Sequence, residues 1–105
     1  MGSISDVSIS ACANYLVQTN MLPVTQKQLD IATGMFIRNK RLEQSLTGQQ
    51  LGNALRVSQQ QISRYELGVT ALNLHQLDQI LRILSSNWEC FIREVINPCT
   101  HQVSL

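Results

Sequence analysis

The 105-residue chain is 44% hydrophobic and 14% charged, long enough for one packed domain and too short for two independent ones. That composition excludes a disordered chain, no apolar run reaches the ~18 to 20 residues of a membrane span, and the first ten residues have neither the basic flank nor the apolar stretch of a secretory signal. Cys12, Cys90 and Cys99 are odd in number and stand in no CxxC or Cys/His spacing, which points to free thiols in the cytoplasm, with no metal site and no other cofactor.

The net charge of +1 is unevenly placed. Residues 37–66 carry Arg38, Lys40, Arg41, Arg56 and Arg64 against Glu43 and Glu66, a local +3, while the segments before and after are each −1. A local patch can meet phosphates without making the whole protein basic, and cations spread over helices also suit a solvated face.

In chain order, Met1, Gly2 and Ser3 read as a tag remnant. Val7, Ala11, Tyr15 and Leu16 predict a weakly patterned helix within Ser5–Gln18. Pro23 separates it from the next helix, placing a linker near Asn20–Val24. Thr25 with Gln28 is a capping-box spacing that opens a long helix towards Ser45, with Ala32, Met35, Phe36, Ile37 and Leu42 as its apolar surface. Gly34 within it costs ~1 kcal/mol relative to alanine, so either the helix bends or another helix packs closely there.

Thr47 with Gln50 starts a short helix whose apolar stripe is Leu51, Ala54 and Leu55. Ser58 with Gln61 starts another, with Ile62 and Tyr65 on its buried face, and Gly68 closes it. Asn73 begins the most strongly patterned helix, with Leu74, Leu77, Ile80, Leu81 and Leu84, and Asn87 caps a last one carrying Trp88, Phe91, Ile92 and Val95, which should stop at Pro98.

Two short helices about three residues apart have the spacing of a helix-turn-helix unit, whose second helix can enter the major groove. Leu51 and Leu55 would pack on Val57, Ile62 and Tyr65, with Gly52 allowing a close crossing. Small helices with a glycine at a crossing are common in helical proteins of other functions. The surface of the second helix is more distinctive: Gln59, Gln60, Gln61, Ser63 and Arg64. A glutamine amide can pair with the N6 and N7 edge of adenine, and arginine with guanine O6 and N7 or with a phosphate. The same run would also serve as a solvated polar face.

Leu46, Thr47, Gln50, Leu51, Val57, Ser58, Ile62, Ser63, Arg64, Tyr65, Glu66 and Gly68 fall where the phage-repressor-like (Xre, Cro/C1-type) helix-turn-helix family has similar residues, so the stretch Ile37–Ile96 resembles that family. The narrower run Ser58–Glu66 resembles MrpJ-type regulators encoded with fimbrial operons. The resemblance implies an all-α, five-helix, lambda-repressor-like domain over residues 25–97, with an extra N-terminal helical segment in 1–24 and a tail in 98–105. It implies a transcription regulator bound to double-stranded promoter DNA, and the narrower one implies control of fimbrial and flagellar genes.

Carried over by position, Gln59, Gln60 and Arg64 become contacts to bases or phosphates, Gln61 and Ser63 their neighbours, and Arg41 with Glu66 an ion pair tying the long helix to the recognition helix. Gly48, Gln49, Arg56, Ser58 and Lys40 complete the expected DNA-contact set. Two positions depart from the family: Gly48 stands where a phosphate-touching glutamine is usual, and Arg56 where the turn usually has glycine. Affinity then requires two copies about one DNA turn, ~34 Å, apart, hence a homodimer. Ile4–Leu22 is the favoured dimerisation element, and the last helix is the other surface on offer. An antitoxin-like or anti-sigma-like protein-binding module on the same fold is the competing reading. His75 and His101 have no nucleophile and acid arranged beside them, so no enzyme is expected.

Overall fold

The computed structural model describes residues 24–101, whose regular structure is all helical: α1 (Gln26–Glu43), α2 (Gly48–Leu55), α3 (Gln59–Glu66), α4 (Leu74–Ile83) and α5 (Trp88–Phe91), the last running on through a π-helical stretch (Ile92–Ile96) into α6 (Asn97–His101). The expected helix in Ser5–Gln18, and the dimerisation role given to Ile4–Leu22, lie outside the described residues, as does the tail beyond His101. No helix among the described residues is long and apolar enough to cross a membrane.

The helices start on one repeated piece of local chemistry. Thr25, Thr47 and Asn73 each accept a hydrogen bond from the backbone N–H of the glutamine three residues on, at 3.1, 3.0 and 2.7 Å, and Gln28, Gln50 and Gln76 accept in return from the cap N–H. These reciprocal bonds satisfy donors that a helix start otherwise leaves orphaned, each cap contributing ~1 kcal/mol. Ser58 and Asn87 cap α3 and α5 in one direction, from Gln61 N–H at 3.0 Å and Cys90 N–H at 2.8 Å. At the far end of α3, Gly68 takes φ +74°, and the N–H groups of Gly68 and Val69 return to the carbonyls of Tyr65 and Arg64, so the helix stops cleanly.

The core is built from Ile37, Leu51, Ile62, Ile80, Leu81 and Leu84, all sealed from solvent, with Phe36, Tyr65, Leu77, Phe91 and Val95 around them. Phe91 joins α1 to the last helix through edge-to-face contacts with Phe36 at 5.5 Å and Trp88 at 5.8 Å.

Five expectations are corrected by the structure. On α1 the buried residues are Thr33, Gly34, Phe36, Ile37 and Arg41, whereas Met35 and Leu42 are 57% and 52% exposed, because a step of about 100° per residue carries them out of the arc fixed by Phe36 and Ile37. Ala54 is exposed on α2, at the edge of an inward arc that runs from Leu51 through Leu55 to Gly52. Leu74 is in line with Leu77 and Leu81 but sits at the first position of α4 and is 75% exposed, and Ile92 is half exposed at the wide π turn. The last helix does not stop at Pro98: the backbone stays helical from Trp88 through the π-helical stretch and on to His101, with Pro98 the second residue of α6.

Gly34 resolves between bending and close packing in favour of packing. A Cβ built there would collide with the carbonyl oxygens of Tyr65 and Glu66, so the end of α3 rests on bare α1 backbone. Gly34→Ala should therefore lower stability by about 1 to 3 kcal/mol, despite the ~1 kcal/mol that alanine gains in an exposed helix. Urea unfolding measures this, and a raised midpoint would mean that α1 and α3 can part without cost.

Candidate nucleic-acid interface

α2 and α3 are joined by Arg56, Val57 and Ser58. The turn is held by the Val57 N–H donating to Gly52 O at 2.9 Å, and a Cβ on Gly52 would come within 2.7 Å of the Val57 carbonyl oxygen. Arg56 adopts φ +63°, ψ +40°, the left-handed region. A side chain there costs ~1 kcal/mol or more, and the arginine that replaces the usual turn glycine is accommodated at that cost, exposed to solvent.

α3 divides cleanly. Ile62, Tyr65 and Glu66 face inward, while Gln59, Gln60, Ser63 and Arg64 are exposed on one contiguous face and Gln61 is half-buried at its flank. Tyr65 Oη accepts from Gln76 Nε2 at 3.2 Å, fastening α3 to α4. Gly48, at the start of α2, is beside Gln59: a Cβ on it would sit 3.6 Å from Gln59 Cγ, ordinary contact, so nothing in the packing demands glycine there. Gln49 is exposed one residue further along, and Ser58 is exposed with its hydroxyl engaged in capping. An open cleft of about 470 Å³ runs between the end of α1 and the starts of α2 and α3, with Arg38, Thr47, Gly48, Gln59 and Ser63 on its walls.

Behind this face Arg41 and Glu66 form a buried two-point pair, Nε to Oε2 at 2.6 Å and Nη2 to Oε1 at 3.0 Å. Arg41 Nη1 also donates to Leu46 O at 2.9 Å, so one guanidinium holds α1, the α1–α2 loop and α3. The hydrogen bond that Arg41 donates to Glu66 raises the Arg41 pKa above its ordinary value against the opposing effect of burial. Arg38, more than half exposed, stands 3.9 Å from the same carboxylate.

Lys40 is not part of this assembly. It shares the buried arc of α1 with Phe36, whose ring it overlies at 5.5 Å, and its ammonium meets Glu94 at 3.3 Å and Glu43 at 3.8 Å, so its charge is spent on the last helix. Burial works against that charge, and the hydrogen bond to Glu94 with the fields of Cys90, Glu94 and Glu43 outweighs it, holding the ammonium above its ordinary range. His75 is exposed on α4.

Two residues join the surface that sequence reasoning did not select. Leu67, directly after α3, is 67% exposed and lies three residues from Arg64, four from Ser63 and seven from Gln60, on the same helical face. Its signal was present in that spacing, since an apolar residue there cannot share the stripe of Ile62 and Tyr65. Arg38 is the other, legible only as a cation one turn before Arg41.

The helix-turn-helix family model matches residues 37–88, from within α1 to the start of α5. No curated protein and no solved structure matches the chain. With the all-helical architecture, the match gives this segment a lambda-repressor-like helix-turn-helix fold.

Removing one partner of the buried pair leaves the other charge stranded, so Arg41→Ala and Glu66→Ala should each cost about 3 to 5 kcal/mol, and the double variant less than the sum. Chemical denaturation of the four proteins measures the coupling, and strictly additive losses would mean that the pair is not energetically joined.

Proposed function

We propose that this chain is a sequence-specific DNA-binding transcription regulator of the cytoplasm that acts as a homodimer, with α3 in the major groove. The observation that carries the reading is the exposed face of α3, where Gln59, Gln60, Ser63, Arg64 and Leu67 are free of contacts with the core while Arg41 and Tyr65 hold the helix from behind. Helix-turn-helix domains present such a helix to base edges. Gln60 and Arg64, one turn apart, are the base readers: the amide suits adenine and the guanidinium guanine. Gln59 lies beside the start of α2, where the backbone N–H groups of Gly48 and Gln49 can meet a phosphate. Arg56 and Arg38 are backbone contacts at the two edges. Leu67 is suited to the methyl group of thymine. The target genes are proposed to be fimbrial and flagellar, on the strength of the run Ser58–Glu66.

Selection of bound sequences from random DNA at fixed salt is the direct test. Gln60→Ala and Arg64→Ala should each lose ~1 to 3 kcal/mol of preference at a single base position, whereas a phosphate contact would weaken every sequence alike. Leu67→Ala should remove the difference between thymine and uracil at one position of the selected site while sparing preference elsewhere. Unchanged affinity and preference in all three variants would dismiss α3 as the reading element.

Arg56→Gly relieves the left-handed strain and removes a cation. It should leave stability unchanged or raise it by up to ~1 kcal/mol, and lower the salt dependence of DNA affinity by about one counterion per copy. An unaltered salt slope would return Arg56 to the role of a solvated turn residue.

A further inference from the structure

On a part of the domain built by α1, α4 and the last helix, an apolar groove of about 300 Å³ opens between Leu29, Thr33, Leu77, Trp88, Phe91 and Ile96, with Asp30 as its one charged wall. Leu74 and Ile92 also line it and are 75% and 46% exposed, so hydrocarbon at its rim faces water. Leu77 and Phe91 belong to the core and Leu29, Trp88 and Ile96 pack against it, but neither the core nor the proposed DNA face accounts for the exposed hydrocarbon of Leu74 and Ile92. We infer that the groove is the seat of the chain's own residues 4–22.

Three observations favour that occupant. First, the segment is close at hand: it joins the domain at Val24, and Leu29 of the groove wall is only one helical turn into α1, ~6 Å along its axis from the first residues. Docking therefore closes a short loop, which carries a small entropic cost and makes the encounter intramolecular. Second, the chemistry matches. Residues 4–22 include Ile4, Val7, Ile9, Tyr15, Leu16, Val17, Met21 and Leu22 with Asp6 as their only charged residue, so the segment is rich in side chains that gain by leaving water and poor in charges that would forbid it. Third, the alternatives on the domain fit less well. The other exposed apolar residues of α1, Ile31, Met35 and Leu42, lie on a convex helical stripe interrupted by Arg38. A second copy docked groove to groove across a two-fold axis would bring the same patch to the interface, and a concave groove does not complement itself. Docking in this way assigns residues 4–22 to the domain's own surface in place of dimerisation, and it stands independently of DNA binding.

Cys12 lies within the segment and gives a probe in the full chain. With Cys90→Ser and Cys99→Ser, the former preserving a donor to Glu94, a nitroxide on Cys12 should broaden the amide resonances of Leu74, Leu77 and Ile92 within the same molecule. Mixing spin-labelled chains with unlabelled, isotope-enriched ones should leave the enriched groove resonances sharp. Leu16→Asp with Val17→Asp should abolish the broadening and shift the emission of Trp88, the only tryptophan, to the red. Broadening in the mixed sample would assign the groove to a second copy and overturn the inference. Sharp groove resonances in the labelled chain, or broadening that survives the two aspartates, would overturn it as well.

Discussion

The Arg41–Glu66 pair is the constraint on which the rest of this architecture depends. Glu66 is the last residue of α3, where the helix dipole disfavours a negative charge, and it is buried there as well. Both penalties are tolerable only because the Arg41 guanidinium meets the carboxylate with two hydrogen bonds and uses a further N–H on Leu46 O. A pair so placed adds little net stability over a well-packed hydrocarbon. What it does is fix the roll of α3 about its axis, and the roll decides which residues face outward. A rotation of one residue, about 100°, would turn Gln60 and Arg64 towards the core and expose Ile62.

Gly34 supplies the other half of that constraint. Because the last carbonyls of α3 lie on α1 with no side chain between them, the helices are close enough for the ion pair to be buried, and the pair prevents them from sliding. Tyr65 adds a third point of attachment through Gln76 on α4. The surface of α3 is thus set by contacts entirely on its back, which is what a recognition surface requires if its side chains are to stay free for a ligand. Glutamine shows the same division of labour. Gln28, Gln50 and Gln76 spend their side chains on capping boxes, whereas Gln61, at the same position after Ser58, makes no return bond in the cap and lies at the edge of the glutamine-rich face.

Much of this was legible in the sequence because it is local. Caps depend on residues three apart: Thr25, Thr47 and Ser58 start helices as their spacing to a glutamine implies, and Asn73 and Asn87 start the helices placed after them. The core of α4 followed from its periodicity for Leu77, Ile80, Leu81 and Leu84. What was not legible depends on tertiary contact. The inward arc of α1 cannot be deduced from apolar content when Met35 and Leu42 point out while Thr33 and Arg41 point in. The fate of Lys40 was equally hidden, since Glu94 is 54 residues away. The continuation through Pro98 follows a π-helical stretch that no residue type announces.

The electrostatics bear on how the proposed site would work. Of the five cations in residues 37–66, Arg41 is consumed by Glu66 and Lys40 by Glu94, leaving Arg38, Arg56 and Arg64 outward, with Arg38 partly compensated by the Glu66 carboxylate. Counterion release scales with the phosphates a protein neutralises, so three cations per copy provide a weak non-specific grip. With the proposed function, the chain would then obtain its affinity from hydrogen bonds and apolar contacts to base edges and from pairing two copies on one duplex, where the second domain would bind at high effective concentration. The modest overall charge, which at first sight argues against a nucleic-acid partner, suits a reader whose discrimination exceeds its attraction: little is lost to the bulk of DNA that offers phosphates without the right bases.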